Sequence, residues 1–206
     1  MRPALALVAA LSLLPAVAQA QFGGYDQLAR TTALTAADDY RIGKGYMDMV
    51  GWMHGTVDDP ALTAWVEDVT RRIVAASDRP DLVFNIQVVA DPTVNAAALP
   101  GGFMIVNKGL IDALPREQVA FVIAHEISHV LLRHFATTMN MSRTLEVLAT
   151  GAQARANGER ASVEQASAEV AGMMTTYARH LELEADLYGM LYAMRAGWSA
   201  RTGPEA

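Results

Sequence analysis

The sequence predicts an α+β fold, a helix-rich domain carrying a small antiparallel or mixed sheet. Three observations lead there. Apolar residues recur at helical spacing through most of the chain, notably from Asp59 to Ala76, from Pro115 to His134 and from Ser162 to Ala196. Only residues 82 to 89 switch clearly to a period of two, and a Pro100-Gly101-Gly102 turn is followed by a second short apolar run from Phe103 to Asn107. Finally, 52% of the 206 residues are apolar and 18% are charged, a globular composition in a chain long enough to bury a real core.

In chain order, residues 1 to 20 look like a secretory signal peptide. Arg2 supplies a basic start, Ala4 to Leu14 is apolar apart from Ser12, and Ala18-Gln19-Ala20 matches an A-x-A cleavage pattern. The run is short for a bilayer span, so cleavage before Gln21 is expected over a retained anchor. Residues 21 to 57 form an N-terminal segment of one or two helices, interrupted by Gly43, Gly45, Gly51 and Gly55. Residues 58 to 206 form the main domain. Asp59 is placed to cap a helix with Pro60 at its first position, and Leu62, Trp65, Val66, Val69, Ile73 and Ala76 share a face. That helix ends before Pro80. In the strand that follows, Leu82, Phe84, Ile86 and Val88 face one way, Asn85 and Gln87 the other. Residues 95 to 110 read as an extended piece, a turn and a strand. Their paired glycines would allow another backbone to approach closely, or the whole is an ordinary hairpin. Pro115 opens the next helix, and residues 137 to 157 hold another helix or helix pair. A capping box at Ser162 and Gln165 starts the last helix, which Gly197 stops.

Composition narrows function chiefly by exclusion. A net charge of -6, with no cluster of Lys and Arg, argues against a nucleic-acid partner. The absence of cysteine excludes disulfides, thiolate metal sites and a lipid-modified N-terminal cysteine.

The chemistry-bearing stretch is FVIAHEISHVLLRH, residues 121 to 134. Its apolar flanks predict a buried helix. Residues four apart lie on one helical face, so His125 and His129 can bind one metal ion, while Glu126, about 100° around the helix, can reach a metal-bound water. Two nitrogen ligands and a carboxylate base are what a hydrolytic Zn2+ site requires. A lone histidine on such a helix is usually a packed core residue. Two histidines and a glutamate together would leave several buried polar groups in need of partners.

A catalytic zinc site usually takes a third protein ligand. In RHLELEADLYG, residues 179 to 189, Glu182, Asp186 and Gly189 share a helical face. Glu182 could be that ligand, with Asp186 holding a ligand histidine by its other ring N–H and Gly189 letting the face pack close to the active-site helix. From spacing alone the favoured reading of that face is a solvated acidic stripe. His54 reads as a surface or packing residue. His134 is turned away from the metal face on a continuous helix, which suits an outer or surface role.

The ordered set N-x-x-x-x-P-G-G, H-E-x-x-H-x-x-x-R-H and R-x-x-E-x-E-A-D resembles the zinc metalloprotease family of HtpX-like heat-shock proteases, CAAX prenyl proteases and periplasmic envelope proteases. The likeness covers about residues 60 to 198. It implies a zincin-like fold of the gluzincin type and one Zn2+ held by His125, His129 and Glu182, with Glu126 as general base and Asp186 behind the ligands. It further implies substrate binding at Gly101, Gly102, Phe103 and Met104, with the strand after the turn as the substrate-binding edge. The implied partners are polypeptides, possible misfolded envelope proteins among them, with peripheral membrane association. The implied location is outside the cytoplasm, in the periplasm if the source is Gram-negative. The chain departs from the family in having Ala178 before Arg179 and no histidine after His180, where the family continues to a His-Pro pair and a later arginine. A zinc-binding, chaperone-like or catalytically impaired protein of the same fold is therefore the alternative to a secreted endopeptidase.

Overall fold

The computed structural model describes residues 35–142 and 160–199. The predicted signal peptide and most of residues 137 to 157 lie outside that range. The chain divides into two compact units, Met1–Ala33 with Thr137–Gly172 and Leu34–Ala136 with Met173–Ala206. Everything below concerns the second unless stated.

Among the described residues of the N-terminal segment there is one helix, α1 (Ala36–His54), opened by a capping box between Thr35 and Asp38. Its glycines do not break it, because two of them serve packing. A β-carbon at Gly43 would collide with the carbonyl oxygen of Pro100, and one at Gly51 with the side chain of Gln87. Helix α2 (Pro60–Ala75) begins as predicted, with Asp59 accepting from the Leu62 N–H and Pro60 in the first turn.

Strands β1 (Asn85–Val89), β2 (Ala96–Leu99) and β3 (Phe103–Asn107) form a mixed sheet in the order β1-β3-β2. β1 runs parallel to β3 with Asn85 opposite Phe103, and β2 runs antiparallel with Leu99 opposite Phe103. β1 is shorter than the alternating pattern, since Leu82 to Phe84 precede it outside the ladder. Val88 and Val89 are both buried, so this sheet has no solvated face at that end. Val88, Met104 and Val106 join the main core with α2 and the helices that follow. Phe103, on the other face, meets Tyr40 of α1 at a ring separation of 5.1 Å.

One sequence expectation needs correction here, and another is met from within the chain. β3 is the central strand, so its backbone is paired on both sides and it cannot be the substrate-binding edge; Phe103 and Met104 are 4% and 0% exposed. The close approach allowed by Gly101 and Gly102 (φ 78° and 81°) is taken by the chain's own backbone. A β-carbon would lie 2.6 Å from Tyr40 Cα in the first case and 2.6 Å from the Val83 carbonyl oxygen in the second. The edge beside the helix that carries His125 and His129 is β2.

After short helix α3 (Lys108–Ala113), Pro115 precedes α4 (Arg116–Leu131), and the chain is helical again over His134–Ser142. Helix α4 is buried along a stripe and not all round. Val119, Ala120, Ile123, Ala124, Ile127 and Ser128 are enclosed, each large apolar side chain worth about 1.5–3 kcal/mol. The last helix, α5 (Arg160–Arg195), already runs before Ser162, which therefore cannot cap it. It ends as predicted at Gly197 (φ 92°) in a Schellman motif, the Trp198 N–H donating to Ala193 O and the Gly197 N–H to Met194 O. Among the described residues no single helix is long and apolar enough to cross a membrane.

Candidate metal centre

Helices α4 and α5 bring the chemistry together. Gly189 is the contact point, since a β-carbon there would lie 2.8 Å from both Cα and N of His125. That approach sets the acidic face of α5 against the partly buried side of α4. His125 Nε2 and His129 Nε2 are 3.0 Å apart, Glu182 Oε2 is 3.4 Å from the first and Glu182 Oε1 3.7 Å from the second. All three residues offer a ligand atom within 4.8 Å of one another. A tetrahedral ion with bonds of about 2.0–2.1 Å holds its ligand atoms about 3.3–3.4 Å apart. The separations, taken to the two oxygens of one Glu182 carboxylate, are of that order, so two imidazole nitrogens and one carboxylate form a donor set that fits zinc.

The surroundings favour the ligand-ready state. His129 has its pKa lowered to about 4, by burial first and then by the neighbouring His134 and His125, so its ring is neutral at physiological pH. His125 turns its Nδ1 to Asp186 Oδ1 at 2.9 Å, the outer contact predicted for Asp186. Glu126 lies beside the three, and its Oε2 accepts the Ala98 N–H at 2.8 Å. Burial pushes the Glu126 carboxyl upward, with Glu182 adding to the rise and Ala98 and His125 opposing it.

Ala98 escaped the sequence reading, and so did the route by which His134 comes to the outer role expected as one of its two alternatives. Ala98 contributes a backbone N–H, and any residue except proline carries one, so no side-chain signal marks it. His134 was projected as if the helix continued. In the structure α4 stops at Leu131 and Arg133 adopts a left-handed backbone (φ 56°), with its guanidinium 2.6 Å from Asp39 Oδ2. That turn swings His134 back, and its Nδ1 comes within 2.9 Å of His129 Nδ1. His54 lies elsewhere, 3.0 Å from Asp91. His180 stands 4.0 Å from Glu184 and is no part of the three-residue cluster.

The sequence model of peptidase family M48 matches residues 60–203. The chain belongs to peptidase family M48. That span takes in α2, the sheet, α3, α4 and α5, and membership implies a metal cofactor at a site such as this. Among relatives, the beta-barrel assembly-enhancing protease of Escherichia coli is 26% identical over 182 residues, covering 84% of this chain and 37% of its own. A Vibrio cholerae protein provisionally given the same name is 29% identical over 99% of this chain and 44% of its own. The mitochondrial metalloendopeptidase OMA1 of Schizosaccharomyces pombe is 31% identical over 65% of this chain and 40% of its own. The chain thus spans less than half the length of each.

Proposed function

We propose that this M48 member is a zinc-dependent endopeptidase of zincin-like, gluzincin type, exported to the cell envelope and acting on polypeptides there. The observation that carries the reading is the clustering of His125, His129 and Glu182 with Glu126 alongside. The bacterial relatives are named for enhancing beta-barrel assembly, which supports envelope proteins as substrates; misfolded substrates and peripheral membrane association are what the resemblance adds.

When bound, zinc supplies a Lewis acid that polarises the scissile carbonyl and acidifies water. His125, His129 and Glu182 would hold it, and Asp186 would orient the His125 ring through Nδ1. Glu126 takes a proton from the attacking water and returns it to the leaving amine nitrogen. Its carboxylate is held at one oxygen by the Ala98 N–H, which orients the other. In the antiparallel β2/β3 register Asn95 bonds to Asn107, so Ala96 and Ala98 turn their backbone groups away from β3. With the Ala98 N–H engaged by Glu126, an extended peptide can pair with the backbone groups of Ala96 and the Ala98 carbonyl and lie beside Glu126. This moves the substrate-binding edge from Phe103 and Met104 to β2.

The test is zinc content of the purified chain beside Glu182→Ala and Glu126→Gln, followed by casein hydrolysis with and without chelator. The expected result is one equivalent of zinc in the parent and in Glu126→Gln, weakened binding in Glu182→Ala, and chelator-sensitive cleavage by the parent alone. Zinc without cleavage would favour a binding protein of the same fold, and a parent without zinc would end the reading.

A further inference from the structure

The two histidines of the cluster are supported differently. His125 reaches a carboxylate directly, through Asp186. His129 has no carboxylate at its Nδ1; it meets the imidazole of His134, whose Nε2 lies 3.4 Å from Glu184 Oε2. The His134 side chain is 5% exposed, so solvent offers little alternative partner on either side of its ring.

Proton placement in this row follows from counting. Two ring nitrogens 2.9 Å apart share a hydrogen bond only if one carries the proton and the other a lone pair. His129 turns Nε2 toward His125 and Glu182, so as a ligand its lone pair is there and its proton is on Nδ1. His134 Nδ1 must then accept, which places the His134 proton on Nε2, facing Glu184. The opposite arrangement would put a bare lone pair of His134 against a carboxylate and leave His129 without a proton on either nitrogen. Glu184 is placed to terminate the row, because its Oε2 is the carboxylate oxygen that faces His134 Nε2.

We infer that His134 and Glu184 are positioning residues for the metal ligand His129: His134 Nδ1 bonds to His129 Nδ1 while His134 Nε2 faces the Glu184 carboxylate, a row that fixes the tautomer and orientation of the His129 ring as Asp186 does directly for His125. The inference rests on the zinc reading of the cluster. It also gives the left-handed turn at Arg133 a purpose. A non-glycine residue in that conformation is strained, and what it accomplishes is to return His134 to His129.

The test uses the whole chain with zinc, comparing parent, His134→Leu, His134→Asn, Glu184→Gln and the double variant His134→Leu/Glu184→Gln. Zinc affinity is read by competition with a chromophoric chelator, and folding of each apoprotein by its melting temperature. Loss of an outer contact to a metal ligand typically weakens binding about 10–100-fold, and that loss is expected for His134→Leu. His134→Asn keeps an acceptor near the Nδ1 position and is expected to recover most of it. Glu184→Gln should weaken binding less, and should add nothing in the double variant, because its effect passes through His134. Long-range nitrogen–proton spectra of the zinc-loaded parent should show neutral His134 protonated on Nε2. Parent-like affinity in His134→Leu, equal loss in the Leu and Asn variants, or a proton on His134 Nδ1 would each overturn the assignment. A parent that takes up no zinc would overturn the metal reading itself, which keeps the two failures apart.

Discussion

Gly189→Ala is the substitution that most directly probes how the centre is assembled. In an open helix the exchange is favourable by about 0.5–1 kcal/mol, because alanine loses less backbone entropy on folding. At Gly189 the new methyl group would sit 2.8 Å from His125 Cα and N and 3.0 Å from Ala124 C. Comfortable contact is about 3.5–4.0 Å, so the two helices must part by roughly 0.7–1 Å. All three opposing atoms are backbone and have no rotamer with which to yield. Overpacking of this kind costs about 1–3 kcal/mol, and with no side chain to move we take the upper end, leaving a net loss of about 2 kcal/mol. For a chain of this size that lowers the melting temperature by roughly 4–8 °C. The effect on metal should be larger. Ligand distances tolerate only about 0.2 Å, and Glu182 and Asp186 ride on α5 while His125 and His129 ride on α4, so zinc affinity should fall at least about tenfold. Calorimetry of the apoprotein and chelator competition measure the two quantities. Gly45→Ala is the control, since nothing lies within 4 Å of a β-carbon there and its melting temperature should hold or rise. If Gly189→Ala behaves like Gly45→Ala and binds zinc like the parent, the argument from close helix approach is wrong.

The remaining predictions concern protonation, the core and a tie at the end of α5. His129 titrates at about 4 when folded and near 6.5 when unfolded, so between those values the unfolded chain binds the extra proton. Apoprotein stability from this group is therefore fully present above about pH 6.5 and declines as pH falls to about 4; relative to His129→Asn, the parent's melting temperature should drop across that window, and a constant difference would refute the shift. Ile123 is fully buried in α4, so Ile123→Ala should cost about 2–5 kcal/mol in urea unfolding through the lost transfer energy and the cavity left behind; a loss below 1 kcal/mol would show that the stripe is loosely packed. Tyr192 donates to Asp78 Oδ2 at 3.0 Å, and Tyr192→Phe should cost about 1 kcal/mol in the same assay, with no change in zinc affinity because the contact lies outside the metal cluster.

Much of this protein is determined locally, and local features are what a sequence displays. The Asp59-Pro60 start, the Gly197 stop, the period of two before Val89 and the four-residue spacing of His125 and His129 each depend on backbone geometry within a turn or a pair of strands. The possible meeting of Glu182 with the histidines was also visible, because an acidic residue, a second acidic residue and a glycine on one helical face have a physical use together. Spacing alone favoured a solvated stripe over that meeting; the approach of α5 to α4 at Gly189 decided for the meeting. Strand order was likewise beyond reach. The same alternation fits a central or an edge strand, and only the parallel pairing of β1 across to β3 made β2 the edge and set Ala98 against Glu126. The start of α5 ahead of Ser162 shows the converse error, a capping pattern overridden by a helix that continues through it. His134 shows the deepest limit. Its direction rests on one left-handed residue, Arg133, held by Asp39 from a helix 94 positions earlier, and an arginine carries no local preference for that conformation. What one segment demands by itself was written in the sequence. Where two distant segments had to agree, the packing of α1, α4 and α5 supplied the answer.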